Sequence, residues 1–369
     1  MQLPETSEYR KILLSNPGLL DVRAPVEFNQ GAFPHATNLP LLDDEERRRV
    51  GICYKQKGQQ HAIKLGHELV SGNTKQQRID KWIEFTKQHN TTYLYCLRGG
   101  LRSKISQQWL HEADIEIPRV QGGYKALRRF LVKQIEFADS EFDFTLIGGL
   151  TGSRKTQLIK QLKNGIDLEG AANHRGSSFG AHASPPNSQI NFENQISIDL
   201  LRADHEGHRT LTLEDESRFI GSVDIPKNIY TKMRSSPLVV IETPIQQRLQ
   251  QLLKEYVTDM EQEFIDVTND HELAFKEFSK YLKDSLLRIR KRLGMEKWQQ
   301  LDNNLQFALK QHKINADTSH HIRWLEPLLK EYYDPMYSSQ LEKRKDSIVF
   351  RGTYDECHQY INQRISQNY

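Results

Sequence analysis

The sequence predicts an α/β protein with two domains, each built around a parallel sheet, and three observations support this. An aromatic and β-branched segment, residues 91–95, runs through a glycine-rich turn into an amphipathic helix at 103–110. A second apolar segment, residues 142–147, leads through another glycine-rich turn into a helix at 157–162. The length of 369 residues fits two domains better than one.

Composition argues against a membrane-spanning protein and against a disulfide-rich secreted one. The chain is 37% hydrophobic, which is enough for globular cores, and its mean hydropathy of −0.69 without a long apolar run argues against a membrane span. The first residues lack the basic-then-apolar pattern of a signal peptide. Three scattered cysteines do not make a disulfide framework or a zinc site, so we expect a cytoplasmic protein and no membrane contact. The net charge of +3 is too mild to indicate nucleic acid by itself.

Cys96 lies where the first strand ends and the first glycine-rich turn begins. The N–H groups of such a turn and the positive end of the following helix point towards the sulfur. Two arginines add full charges, and each effect favours the nucleophilic thiolate. A buried structural cysteine would explain the strand but not two arginines and two glycines within six residues. We therefore predict Cys96 as catalytic, in an anion-binding loop formed by Arg98, Gly99, Gly100 and Arg102.

The upstream segment reads DVRAPVEF and then GAFPHATNLP, with Asp21 and Arg23 at the end of a short strand. Ligands bind at that end of a parallel strand, but a structural ion pair that fixes the loop is an equally good interpretation. Together with Cys-x5-Arg, this string resembles the rhodanese domain, in which the loop cysteine carries sulfur or selenium. Cys-x5-Arg alone also fits tyrosine and dual-specificity phosphatases. We therefore predict a rhodanese-like parallel α/β domain over residues 1–120.

Residues 121–140 are predicted to form a basic linker helix. Five lysines and arginines and no acid occur between Arg119 and Gln134, with aromatic side chains interleaved. This pattern is typical of a nucleic-acid contact, and equally of a plain linker helix. The candidate RNA contacts are Lys125, Arg128 and Arg129.

The second glycine-rich turn, GGLTGSRKT at 148–156, is similar to the phosphate-binding Walker A loop G-x-x-x-x-G-K-[ST]. It predicts a P-loop α/β domain over residues 141–369. Arg154 replaces the second glycine, where a side chain would distort the loop, point outwards or add a phosphate contact. The predicted diphosphate-binding residues are Gly149, Gly152, Ser153, Lys155 and Thr156.

Later segments of this domain carry weaker signals. His174 and Arg175 lie in a glycine- and serine-rich loop, as anion or RNA contacts or as an incidental surface pair. Glu214 or Asp215, at the end of a predicted strand, could hold Mg²⁺ through water or could cap a helix instead.

The helices at about 244–345 are predicted to be an insertion. An apolar strand at 237–242 precedes them, and a last strand at 347–350 follows them, which suggests that the chain returns to the same sheet. Thr353 and Glu356 fit a capping box for the last helix.

Longer motifs point to a family. The strings GICYKQKGQQHAIKLGHELVSG, YCLRGGLRS, VQGGYKALRR, DLEGAANHRGSSFG and SPPNSQINFEN resemble the bacterial tRNA 2-selenouridine synthases, from about Asp21 to the C-terminal helix. The resemblance implies a transferase that geranylates the sulfur of wobble 2-thiouridine in tRNA, using geranyl diphosphate. It then replaces S-geranyl with selenium from selenophosphate. The resemblance implies these two co-substrates and tRNA as partners. We expect no tightly bound cofactor, and Thr156 could hold Mg²⁺ if a metal takes part.

From the chemistry of the two loops we expect diphosphate at the P-loop and selenium at Cys96. Two alternatives stay open at this point: a rhodanese-type sulfurtransferase with an accessory nucleotide-binding domain, and a catalytically inactive tRNA-binding protein whose P-loop Arg154 has disabled. The sequence also leaves open which tRNAs bind, whether Mg²⁺ takes part, and the oligomeric state.

Overall fold

The computed structural model describes residues 3–367, which form two compact units. Unit 1 contains residues 3–137 and Ile190–Arg202. Unit 2 contains Ala138–Gln189 and residues 203–367. Cys53, Cys96 and Cys357, the three cysteines of the chain, are not in disulfide bonds.

Unit 1 is built on a five-stranded parallel sheet of order β1-β5-β4-β2-β3. The strands are β1 (Glu5–Thr6), β2 (Gly18–Asp21), β3 (Ala36–Asn38), β4 (Thr92–Tyr95) and β5 (Arg119–Val120). The helices are α1 (Tyr9–Leu14), α2 (Pro25–Gln30), α3 (Asp44–Lys57), α4 (Gln59–Leu69), α5 (Gly72–Lys87), α6 (Leu101–Glu112) and α7 (Gly123–Glu141). All four residues of β2 are buried, as is typical of a central strand in a parallel sheet.

Asp21 and Arg23, at the end of β2, form a buried ion pair. The Arg23 Nε donates to Asp21 Oδ2 at 2.8 Å, and the Arg23 Nη2 donates to the Gly31 carbonyl at 2.8 Å. Its guanidinium also lies over the Tyr124 ring, 3.9 Å from the centroid. Because every polar group of the pair is engaged in holding the neighbouring loop, the structural interpretation is favoured over a catalytic one.

Unit 2 is built on a second parallel sheet, of order β12-β11-β6-β8-β7. Its strands are β6 (Asp143–Gly149), β7 (Gly165–Ile166), β8 (Thr210–Glu214), β11 (Leu238–Ile241) and β12 (Ile348–Gly352), with a hairpin of β9 (Phe219–Ile220) and β10 (Val223–Asp224). The first helices after α7 are α8 (Lys155–Gln161), α9 (Leu168–Ala172), α10 (Gln189–His205) and α11 (Lys227–Ser235). The two sheets give the α/β class that the sequence predicts.

A helical segment separates the neighbouring strands β11 and β12. It contains α12 (Ile245–Leu253), α13 (Asp259–Thr268), α14 (His271–Arg288), α15 (Arg290–Leu293), α16 (Met295–Asn315), α17 (Ile322–Leu328) and α18 (Asp334–Glu342), with π-helical turns at Lys254–Thr258 and Leu329–Tyr333 and 3-10 turns at Ser319–His321 and Lys345–Ser347. These helices share a core around Phe278, Leu305 and Trp324. After β12 the chain ends in α19 (Tyr354–Gln367).

The predicted capping box of α19 is confirmed. The Thr353 N–H donates to Glu356 Oε2 at 2.7 Å, and the Glu356 N–H donates back to Thr353 Oγ1 at 3.4 Å. None of the helices in the described residues has the length and apolar composition needed to cross a bilayer.

Residues Ile190–Arg202 of α10 belong to unit 1, although sequence analysis places them in the second domain. Ile198 and Leu201 join an apolar cluster with Tyr124. Asn191 accepts from the Ala32 N–H at 2.8 Å, and Asn194 donates to the Ala32 carbonyl at 2.7 Å. These bonds give Asn191 and Asn194 of the SPPNSQINFEN motif a structural role in unit 1.

Candidate active sites in the two units

Cys96 is buried directly after β4, and α6 begins five residues later, so the predicted strand–loop–helix arrangement is present. Its Sγ donates to the Ser103 hydroxyl at 3.2 Å, and Ser103 in turn donates to the Gly100 carbonyl at 3.0 Å. Ser103 was not among the predicted site residues. It links the sulfur to the first turn of the helix that follows.

A second helix N-terminus meets the Cys96 loop. The N–H groups of Tyr124 and Lys125, in the first turn of α7, donate to the carbonyls of Cys96 and Leu97 at 2.9 and 3.1 Å. A side chain on Gly123, which has φ +59°, would overlap the Cys96 carbonyl oxygen. Gly123 of the VQGGYK motif therefore allows α7 to pack backbone-to-backbone against the Cys96 loop.

A basic cavity of about 860 Å³ lies over Cys96. Of the predicted loop residues, Arg98, Gly100 and Arg102 line it. Helix α3 adds three cationic side chains that sequence analysis did not assign to the site: Arg47, Arg48 and Lys55. Such a wall of cations suits an anionic ligand.

Glu27 holds Arg102 in place. The Arg102 guanidinium forms a two-pronged ion pair with the Glu27 carboxylate, with Nη2 to Oε1 at 3.0 Å. The Arg47 Nε lies 3.2 Å from the same carboxylate. Burial raises the pKa of Glu27, but the charges and hydrogen bonds of the two arginines outweigh it, so the pKa lies below its usual value. Glu27 thus fixes one cation of the loop, while Arg98 is exposed.

In unit 2 the P-loop follows β6, the central strand of the sheet, as predicted. The Lys155 Nζ donates to the Gly149 carbonyl at 3.2 Å, and the Thr156 hydroxyl donates to Glu169 at 2.8 Å. The cavity over this loop has a volume of about 710 Å³. Four of the five predicted residues line it: Gly152, Ser153, Lys155 and Thr156. Gly149 instead lies under the loop, where a Cβ would come within 2.6 Å of Ser153 Oγ.

Arg154 occupies the glycine position in a left-handed conformation, with φ +63° and ψ 32°. The loop therefore keeps a glycine-like backbone at this residue, at a cost of about 1–2 kcal/mol for a side chain. The guanidinium lies over the Tyr354 ring of α19, 4.6 Å from the centroid. The Arg154 side chain thus reaches α19, and it also lines the cavity over the loop, so a contact with a bound phosphate stays open.

The helical insertion supports the P-loop through Arg248, which sequence analysis did not identify. This buried side chain donates to the Thr151 carbonyl at 3.3 Å and to both carboxylate oxygens of Asp334 at 2.7 and 2.6 Å. A Cβ on Gly152 would lie 2.8 Å from the Arg248 carbonyl. Helix α12 thus packs directly against the phosphate loop.

Glu169 and Glu216 lie together beside the P-loop, and oxygens of both approach the position of a Cβ on Gly176, at 2.8 and 3.0 Å. Burial raises the pKa of both; repulsion from Asp167 and Glu255 adds to the rise for Glu169, and repulsion from Glu169 helps to raise the pKa of Glu216 to about 8. Glu214 is buried, accepts from the Leu168 N–H at 3.1 Å, and has its pKa raised by burial.

Asp215, the other acidic residue at the end of β8, pairs through its Oδ1 with both Arg234 and Arg344. Within residues 3–367, no three His, Cys, Asp or Glu side chains come together in an arrangement that would hold a metal ion.

The remaining predicted contacts divide into engaged and exposed side chains. Arg175 lines the P-loop cavity and pairs with Glu263 at 2.7 Å. His174 accepts from the Gly176 N–H at 3.1 Å, and burial lowers its pKa.

On α7, Arg128 pairs with Glu193 of α10, whereas Lys125 and Arg129 are exposed. Lys125 and Arg129 are therefore the better candidates on this helix for contact with RNA phosphates.

Known proteins resemble this chain over almost all of its length. A family model described as the tRNA 2-selenouridine synthase AAA domain matches residues 142–368. A protein of Shewanella frigidimarina named tRNA 2-selenouridine synthase is 47% identical, over 98% of this chain and 98% of its own. Proteins with the same name from Shewanella oneidensis and Pseudomonas paraeruginosa are 48% and 49% identical, over 98% and 97% of this chain and 96% and 97% of theirs.

Proposed function

Because this chain belongs to the tRNA 2-selenouridine synthase family, and is therefore an enzyme of the transferase class, we propose that it converts 2-thiouridine in tRNA to 2-selenouridine in two steps. In the first step the sulfur attacks C1 of geranyl diphosphate, the C–O bond breaks and diphosphate leaves. In the second step selenium from selenophosphate replaces the S-geranyl group at C2 of the base.

The first step suits unit 2. Lys155 and the N–H groups at the start of α8 face a cavity large enough for a prenyl diphosphate. Cationic and N–H donors aimed at a diphosphate stabilise the charge that develops as it leaves. Thr156 and Arg175 complete the polar wall of this cavity.

The second step suits unit 1, and one observation carries the proposal: Cys96 lies at a cavity whose wall contains five cationic side chains, Arg47, Arg48, Lys55, Arg98 and Arg102. Selenophosphate and the tRNA backbone are both anions. The exchange balances without an oxidant: the C2–S bond breaks, the C2–Se bond forms, sulfur leaves as geranylthiol, and water takes the phosphoryl group as phosphate. We assign Cys96 to this step as the nucleophilic thiolate: it attacks the phosphorus of selenophosphate and breaks the P–Se bond, the released selenide attacks C2, and water then cleaves the S–P bond and restores the thiolate.

The test is to incubate the protein with 2-thiouridine tRNA, geranyl diphosphate and selenophosphate, and to identify the nucleosides by mass spectrometry. Cys96→Ala should abolish 2-selenouridine and leave S-geranyl-2-thiouridine to accumulate. Lys155→Ala should block geranylation, yet still allow selenation of tRNA that was geranylated beforehand. Normal selenation by Cys96→Ala would refute the assignment. Cyanide-dependent sulfur transfer without tRNA would instead favour the sulfurtransferase alternative.

A further inference from the structure

An apolar cavity of about 560 Å³ adjoins the Cys96 loop in unit 1, between α3, α4 and the start of α6. Its volume lies within the range of about 300–1,000 Å³ that is typical of small-molecule sites. Aliphatic and aromatic side chains form most of its wall, among them Leu42, Val50, Ile63, Ile105 and Trp109. Neither of the two proposed steps places a ligand in this cavity.

The apolar cavity and the basic cavity over Cys96 are direct neighbours. Val50, Tyr54, Arg98 and Leu101 line both of them. A ligand can therefore place a charged part over the sulfur and an adjacent apolar part in the second cavity. The boundary between the two parts falls at the Cys96 loop itself.

Apolar side chains around this cavity are left uncovered by the rest of the protein. None of the 14 residues of α3, all of them within the described part of the chain, is buried. Near the junction of the cavities, Ile52, Tyr54 and Leu101 are 41%, 57% and 43% exposed. Large apolar side chains clustered at the surface of a folded protein usually mark a binding site.

The proposed second step requires such a ligand. The substrate of that step carries a ten-carbon chain without polar atoms, bonded to the very sulfur that is replaced. When C2 of the base is at Cys96, the chain must lie within a few bonds of the loop. Resting on the proposed function, we infer that the apolar cavity of unit 1 binds the prenyl chain of S-geranyl-2-thiouridine and selects for its length.

In this arrangement the geranyl group contributes to substrate binding as well as to the leaving group. Each buried methylene contributes about fourfold to affinity, so a ten-carbon chain in this cavity should bind at least about tenfold better than a five-carbon chain, even with incomplete burial. Binding of the prenyl chain would therefore bring only prenylated bases to Cys96, whereas 2-thiouridine itself would stay unbound.

The test compares two RNA substrates, bearing S-geranyl- or S-dimethylallyl-2-thiouridine, with selenophosphate as the donor. The wild-type kcat/KM for selenation should favour the ten-carbon chain at least about tenfold. Ile63→Trp should fill the cavity and remove most of this preference through a higher KM for the geranyl substrate. Ile63 lines the cavity but is only partly buried, so the substitution spares the buried core. Lys64→Trp, a matched control at an exposed neighbour that does not line the cavity, should keep the preference.

A wild-type enzyme that selenates both substrates equally well would overturn the inference without any variant. So would a folded Ile63→Trp protein, judged by circular dichroism, that retains the wild-type preference. Failure of the wild type to selenate either substrate would instead refute the proposed function, so the two failures are distinguishable.

Discussion

Replacing Glu27 by glutamine tests whether the Glu27–Arg102 ion pair stabilises the Cys96 loop. The Glu27 side chain is 7% exposed and that of Arg102 is 23% exposed. Removing one partner of a fully buried pair costs about 3–5 kcal/mol, and the partial exposure of Arg102 reduces this, so we expect a loss of about 2 kcal/mol. Glutamine keeps the shape but leaves the guanidinium without an opposite charge.

The assay is hydrogen exchange across residues 92–112, read by mass spectrometry, because it reports the stability of this loop and not of the whole chain. Glu45→Gln is the matched control: Glu45 also pairs with an arginine, Arg48, but both side chains are 61% exposed, so we expect no measurable change. Selenation should fall in the Glu27 variant, whereas geranylation should persist.

The pH dependence gives an independent check. The pKa of Glu27 is lowered from its ordinary value of 4.5, so its contribution to stability is present above pH 4.5 and is lost as the pH falls through the folded-state value. The difference between wild type and Glu27→Gln should therefore be full at pH 7 and shrink in acid. Equal exchange in the Glu27 and Glu45 variants at pH 7 would refute the reasoning.

Two further predictions concern unit 2. Arg154→Gly should change the free energy of unfolding by no more than about 1 kcal/mol in urea denaturation, because relief of the left-handed backbone offsets loss of the contact with Tyr354. Geranylation should persist in this variant, and its loss would show that the guanidinium binds substrate. Glu216→Gln should stabilise the protein more at pH 8 than at pH 6, because a carboxyl with a pKa of about 8 destabilises the folded state increasingly as the pH rises from 4.5 to 8. A gain independent of pH, measured by the same denaturation, would contradict the raised pKa.

The elements around both loops could be predicted because their signals are local. Cys96 and Lys155 each lie between an apolar strand and an amphipathic helix, and a few consecutive residues encode that arrangement. The return of β12 to the sheet was also predictable, since a strand pattern after a long helical segment has to pair with something.

The supporting contacts could not be predicted, because their partners lie far apart in the sequence. Glu27 and Arg102 are separated by 75 residues, and Arg248 lies 97 residues from Thr151. In the sequence, each of these charged residues fits a solvent-exposed helix face as well as it fits a buried ion pair. Only the folded chain shows which charged residues lose their water and take a fixed partner.

The membership of Ile190–Arg202 in unit 1 has a consequence for how this enzyme can be divided or recombined. A gene fragment that ends after Phe137 would encode the N-terminal segment of unit 1 without Asn194, Ile198 and Leu201, which are buried in that unit. A fragment that begins at Ala138 would leave those side chains exposed to water. Neither unit can therefore be exchanged as one continuous segment of sequence. Chimeras between relatives should fold only when residues 190–202 and the N-terminal segment come from the same parent.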